Sequence, residues 1–368
     1  MNKKIFLISL GIAILIIGFI FIFNFQKQNV YKIGVIAPLT GIGANLGNPV
    51  INGMNLAVEE INANGGINNN PVKLLIQDGK LDGKASIDAV NYLLNVEDPD
   101  IFTTLFHLPA QSISPILKEA KKPLVYEAFT RSIVEDNPYA FKAHFDSLTG
   151  CEKLIKYAKE NNKYDKLGIL MAKVEYNELC LQGIKKIESD VEEYWYTFGE
   201  TDFKTLLLKA KEDKIDTLVT LGLDFEYLGI FKQLTELGYP ISIICATASE
   251  CIFPKVIEVT SPELLDNTLA IDFVLNIDET EFAEEYSKKY GDSSFTDYVY
   301  GAIGYEEVMY ITEAMKNCEP GDSICLTESL KNVYSYKTVI NSKGFEDRVL
   351  QLTTDIYEFE NGEWRLAE

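Results

Sequence analysis

The feature that most restricts the fold is a strict alternation of short β-branched runs with amphipathic helical stretches, sustained from residue 31 to residue 245. Residues 32–37 form the first strand-like run. Asn48-Pro49 then reads as a helix cap with proline in the first turn, and Met54, Ala57, Val58 and Ile61 fall on one helical face. Gly65-Gly66 stops that helix. Strand-like runs at 72–77, 101–106 and 123–126 follow, separated by helical stretches at 82–96 and from about 109 onward. This βαβαβαβ order demands a parallel sheet covered on both faces, since right-handed crossovers return the chain to the same sheet. The rhythm restarts after residue 150. Strand-like runs at 166–171, 194–198, 215–221 and 241–245 alternate with helices at 151–160, 178–188 and 202–211. A further helical face is made by Tyr227, Ile230, Phe231 and Leu234. The sequence therefore predicts an α/β fold of two doubly wound, Rossmann-like lobes. A helix-rich run at 279–333 and a tail hairpin around Asn361-Gly362 complete it.

Charge and cysteine content narrow the setting. A net charge of -21 excludes a nucleic-acid partner, which needs a basic face, and disfavours an anionic lipid surface. Lys3 and Lys4 precede an uncharged apolar run at 5–23. At ~1.5 Å per residue that run can cross a hydrocarbon core of about 30 Å, with Met1 cytoplasmic and the bulk of the chain outside. The exit, Phe23-Asn24-Phe25-Gln26, lacks the small residues of a cleavage site, so residues 1–29 read as an uncleaved single-pass membrane anchor. Six cysteines in an extracytoplasmic chain permit disulfides. Cys318 and Cys325 flank a turn-like Glu-Pro-Gly-Asp and are the first pair expected. Cys245 and Cys251 read equally as buried thiols.

Nothing in the chain requires an enzyme. Only two histidines occur, His107 and His144, and neither a GxSxG elbow nor an HExxH is present. No CxxC is present, so neither a metal nor a cofactor is expected. Gly41, Gly43 and Gly47 follow the first strand with the wrong spacing for a dinucleotide loop, and Pro38 interrupts the turn. The sharper reading is topological. In open α/β sheets, ligands bind beyond the carboxyl ends of strands, where helix N-termini also offer free N–H groups. That rim holds Thr40 after the first strand and His107, Leu108, Ala110 and Gln111 after the third. Glu127, Ala128, Phe129 and Thr130 follow the fourth. In the second unit it holds Tyr176, Asp224, Thr247 and Glu250.

The stretch from Tyr31 to Gly41, Asn52-Gly53, and above all Leu56 to Ile67 resembles the type I periplasmic binding proteins, closest to the branched-chain amino acid receptors of ABC importers. Thr201-Asp202-Phe203 and the Gly-Ala-Ile-Gly-Tyr ending at Tyr305 extend the likeness to most of the chain. The resemblance implies a three-stranded hinge joining lobe one (30–145 and 276–341) to lobe two (146–275 and 342–368), with the lobes closing on a small polar, amino-acid-like ligand. It implies delivery to an ABC permease; a ligand-sensing ectodomain with a signalling partner is the alternative. It also implies a carboxylate clamp on the loop after His107-Leu108, where Ala110 stands in place of the family's usual serine, and on Ala128-Phe129-Thr130, with an aromatic contact from Tyr176. The family's ammonium-binding acid falls near Thr247, leaving Asp224 or Glu250 to replace it.

Overall fold

A computed structural model describes residues 29–273, 280–334, 336 and 338–367. The first sheet begins with β1 (Tyr31–Ala37), α1 (Ala44–Ala63), β2 (Val72–Asp78), α2 (Gly83–Val96) and β3 (Ile101–Leu105). It continues with α3 (His107–Ala120), β4 (Leu124–Glu127), α4 (Ser132–Asp136) and β5 (Ala140–Lys142). β1 pairs in parallel with β2 on one side and with β3 on the other. The strand order therefore reverses at β1, a switch point. Successive β1 side chains enter opposite cores: Ile33 and Val35 pack on one face and Ile36 on the other. Burial on both faces explains why these strands read as continuous apolar runs.

The second sheet repeats the plan. α5 (Ser147–Glu160) leads to β6 (Leu167–Ala172), α6 (Glu175–Lys185), β7 (Glu192–Tyr196), α7 (Lys204–Glu212) and β8 (Thr217–Thr220). α8 (Asp224–Leu237) and β9 (Ser242–Cys245) follow, then the short α9 (Ala248–Cys251), α10 (Pro254–Val259) and α11 (Pro262–Leu265), and β10 (Thr268–Asp272). Here β6 lies between β7 and β8, a second switch point. α12 (Glu281–Tyr290), α13 (Phe295–Met315) and α14 (Ser323–Leu330) come next. The chain ends with β11 (Ser342–Glu346), β12 (Val349–Leu352), β13 (Asp355–Glu360) and β14 (Glu363–Leu366). The chain thus passes between the sheets three times: after β5, after β10 and after β12.

Two local readings need correction. The first helix begins at Ala44, capped by Gly43, so Pro49 lies inside it and Asn48 is no cap; its amide donates to the Ala44 carbonyl at 2.8 Å. Gly43, Ala44 and Gly47 carry no apolar periodicity, so that first turn left no trace in the pattern. The lobe boundary also moves. Residues 342–352 form β11 and β12, which extend the first sheet through Val349 beside Lys142, and the second sheet resumes at β13. Phe345 packs its ring 5.3 Å from Phe141 and 5.2 Å from Tyr310, and this apolar seat holds the hairpin on lobe one. In the tail, Asn361 and Gly362 both have positive φ, as a two-residue hairpin turn requires. Among the described residues no helix is long and apolar enough to cross a membrane; the anchor expected for residues 1–29 lies, but for its last residue, outside them.

All six cysteines are paired: Cys151–Cys180, Cys245–Cys251 and Cys318–Cys325. Three bridges fit an oxidising compartment. Cys151–Cys180 ties α5 to α6 across a sequence separation of 29. Closing a loop of that length restricts the unfolded chain by about 3–4 kcal/mol at 25 °C. Replacing both cysteines with serine is expected to lower the urea midpoint and to steepen the slope, because the unbridged chain exposes more surface on unfolding.

Candidate functional site

The two switch points face one another across a cavity of about 460 Å³. Lobe one contributes Leu81 after β2, Phe106, His107, Leu108 and Gln111 at the start of α3, and Glu127, Ala128 and Phe129 at the end of β4. Lobe two contributes Val174, Glu175 and Tyr176 at the start of α6, Phe198 after β7 and Leu223 after β8. Every one of these positions follows the carboxyl end of a strand, so topology alone assembles the site. The wall is mainly apolar and aromatic, with a small polar set, as small-molecule sites usually are. Phe106 adopts φ 68 and ψ 156, a region almost reserved for glycine. That backbone strain sits at the cavity wall, where strained residues tend to have a role.

A polar chain crosses the cleft beside the cavity. His107 Nδ1 lies 3.2 Å from Thr130 Oγ1, and His107 Nε2 lies 3.3 Å from Glu175 Oε2. Ser132 Oγ donates to the same Glu175 oxygen at 3.2 Å, and Thr130 and Ser132 are 3.3 Å apart. Burial holds His107 below its ordinary pKa, with Glu175 pulling the other way. Tyr176 completes the aromatic wall, its ring 5.8 Å from Phe129. A second cross-lobe bond runs from Asn45 Nδ2 to Asp224 Oδ2 at 3.2 Å.

Two groups of buried acids flank the cavity. In lobe one, Glu127 meets Glu307 from α13, whose Oε1 accepts from Thr103 Oγ1. Burial raises both, Glu307 to about 8 and Glu127 well above the carboxylate range, with Glu307 adding to the latter. Oε2 of each has no hydrogen-bond partner among the described residues. In lobe two, burial lifts Glu226 and Glu250 to about 7. Glu250 accepts from the Tyr300 hydroxyl, and Glu226 accepts from the Leu223 N–H at 3.0 Å.

The structure brings His107, Leu108, Gln111, Ala128 and Tyr176 to the cavity wall. Thr130 stands one hydrogen bond behind it, through His107. The other expected positions lie elsewhere. Ala110 is fully buried in the core beneath α2 and α3, because it faces inward on α3. Thr40 is exposed and donates to Asp78 Oδ2 at 2.5 Å, capping the sheet rim. Asp224 opens onto a second cavity between α1 and α10, and Thr247 is tied to the Tyr227 hydroxyl at 3.4 Å. Glu250 is held behind the wall by Tyr300. Glu175, Phe106 and Phe198 were missed. Glu175 directly precedes Tyr176 at the same strand–helix junction, so the rim rule that found Tyr176 contained it.

Two doubly wound lobes whose switch points share a ligand-sized cavity define the class of two-lobed solute-binding proteins. The profile of the periplasmic binding protein family matches residues 30–361, and the chain belongs to that family. It is 26% identical over 353 residues to Leu/Ile/Val-binding protein homolog 2 of Brucella abortus, covering 91% of each chain. It is 26% identical over 214 residues to the Leu/Ile/Val-binding protein of Escherichia coli, covering 56% of this chain and 58% of that one. Among solved structures, a branched-chain amino acid transporter substrate binding protein from Streptococcus pneumoniae, in complex with isoleucine, aligns with TM-score 0.80 at 19% identity. That alignment covers 92% and 99% of the two chains. A solute binding protein of an ABC transporter from Rhodopseudomonas palustris, in complex with p-hydroxybenzoic acid, aligns with TM-score 0.81 at 19% identity, covering 92% and 96%. These relatives are all binding proteins.

Proposed function

We propose that this chain is an extracytoplasmic solute receptor that encloses a small ligand in the inter-lobe cavity and delivers it to an ABC importer. The observation that carries the reading is the shared cavity, walled from both lobes and spanned by the His107–Glu175 contact. Such a wall is complete only when the lobes are together, so ligand binding and closure are one equilibrium. The apolar run at 5–23 would tether the receptor to the outer face of the membrane, close to its permease.

Calorimetry and thermal shift against amino acids, aromatic acids and amines test this reading. A ligand at a hundredfold excess over Kd should stabilise the protein by about 2.7 kcal/mol. Scattering should show a more compact molecule with ligand than without. Tyr176→Ala removes the aromatic contact opposite Phe129 and should weaken binding by roughly two- to tenfold, on the scale of a lost aromatic pair. No thermal response to any small solute would overturn the proposal.

A further inference from the structure

The side chains of the cavity also speak to the charge of what it holds. We infer that the ligand is an amine carried on an apolar, ring-sized body, with its ammonium read by Glu175 and Glu127, and that a carboxylate group is not what the site selects. This deepens the solute-receptor reading and rests on it.

The first observation is that, among the described residues, no lysine or arginine lines the cavity wall. The nearby bases are engaged elsewhere. Lys142 Nζ donates to the carbonyls of His144 and Phe145. Arg131 Nε pairs with Asp146 at 3.2 Å, and Lys173 Nζ pairs with Glu178 at 3.0 Å. A ligand carboxylate brought into this cavity would lose its water and meet no cation, the costliest way to bury a charge.

The second observation is two acids with unused capacity at the wall. Both cross-lobe contacts of Glu175 fall on Oε2, which leaves Oε1 without a hydrogen bond among the described residues. Glu127 is 8% exposed, lines the cavity, and its Oε2 has no hydrogen-bond partner among the described residues. An ammonium has three donors and no acceptor, so it suits two such oxygens. Burial, with Glu307 adding to it, raises Glu127 well above the carboxylate range, and an incoming cation favours its ionised, accepting form.

Helix ends reinforce the choice. The first turn of α6 already carries Glu175 and Glu178, and that of α8 carries Asp224 and Glu226. Their dipoles are complemented from within the chain and need no ligand anion. On α3, Pro109 removes one of the free N–H groups, leaving those of His107 and Leu108, enough for one carbonyl or hydroxyl. The body of the ligand meets Phe106, Phe129, Tyr176 and Phe198, whose ring faces also attract a cation. A volume of about 460 Å³ accommodates a ring with its side arm.

The test uses three ligands of one shape: 2-phenylethylamine, L-phenylalanine and 3-phenylpropanoate. Each is titrated into the full-length protein and its Glu175→Gln variant at neutral pH. The amine is expected to bind at least tenfold more tightly than the acid, and Glu175→Gln to reduce that ratio at least tenfold. L-Phenylalanine should bind no more tightly than the amine. The inference is overturned, with the solute reading intact, if 3-phenylpropanoate binds as well as the amine or if Glu175→Gln leaves the ratio unchanged. Should the variant fail to fold, the wild-type ratio still decides. Should none of the three bind, native mass spectrometry of the purified protein decides by the charge of the retained molecule. An amine supports the inference, an acid overturns it, and no retained molecule together with no response counts against the receptor reading itself.

Discussion

Gly53→Ala is expected to destabilise the protein by about 2–3 kcal/mol in urea unfolding, against the direction set by helix propensity. Gly53 lies in the middle of α1, where alanine would normally gain up to about 1 kcal/mol over glycine. Here α1 crosses α13 with the backbones in contact. A Cβ on Gly53 would meet the Gly301 carbonyl oxygen at 1.8 Å, and a Cβ on Gly304 would meet the Val50 carbonyl oxygen at 2.1 Å. Those neighbours are backbone atoms in buried helices and cannot rotate away. Accommodation requires the helices to separate, opening voids around Val50, Met54 and Val308, all fully or almost fully buried. A neutral or stabilising Gly53→Ala would show that the crossing is looser than this. The consequence reaches the site, because α13 carries Glu307 beneath Glu127 and α1 carries Asn45 against Asp224. The same variant should therefore also weaken ligand binding.

Much of this architecture was legible because it is periodic. Apolar β-branched runs buried on both faces, and helices with one apolar face, name a doubly wound fold before any coordinate is known. The rim rule then located His107, Leu108, Gln111, Ala128 and Tyr176, since strand ends are fixed by the same pattern. What sequence could not supply was direction and distance. Ala110 and Gln111 are adjacent on α3, yet one enters the core and the other the cavity, a difference of about 100° around a helix. Asp224 and Glu175 are both acids at strand ends of lobe two, and only packing sends Glu175 to the wall. The return of residues 342–352 to the first sheet was invisible for a similar reason. Strand pairing between β12 and β5 joins residues two hundred positions apart, and neither run carries a mark of its partner.

Raising the pH from 6.5 to 8 is expected to lower the stability of the ligand-free protein by about 2–3 kcal/mol, at about 1.4 kcal/mol per net proton per pH unit. The sign follows from the buried acids. Burial raises Glu226 and Glu250 to about 7 and Glu307 to about 8, and raises Glu127 further with help from Glu307. A carboxyl raised on folding contributes stability that is complete below its unfolded pKa and is lost as pH climbs through the folded value. Two kinds of group oppose this. His107 and His144 are lowered by burial, His144 to about 3, so they add stability as pH rises, but only up to the unfolded histidine value near 6.5. Lys142, lowered by burial to about 7, adds stability between there and its unfolded value. Above pH 6.5 the four carboxyls outweigh the one lysine, so stability falls. The thermal midpoint should drop by roughly 3–4 °C over that interval. Glu250→Gln keeps an acceptor for Tyr300 and removes one titration, so it should flatten the decline and gain stability over wild type mainly at the upper pH. A midpoint that stayed level or rose from pH 6.5 to 8 would mean that these carboxyls are solvated or paired, and not held as buried acids on either side of the cleft.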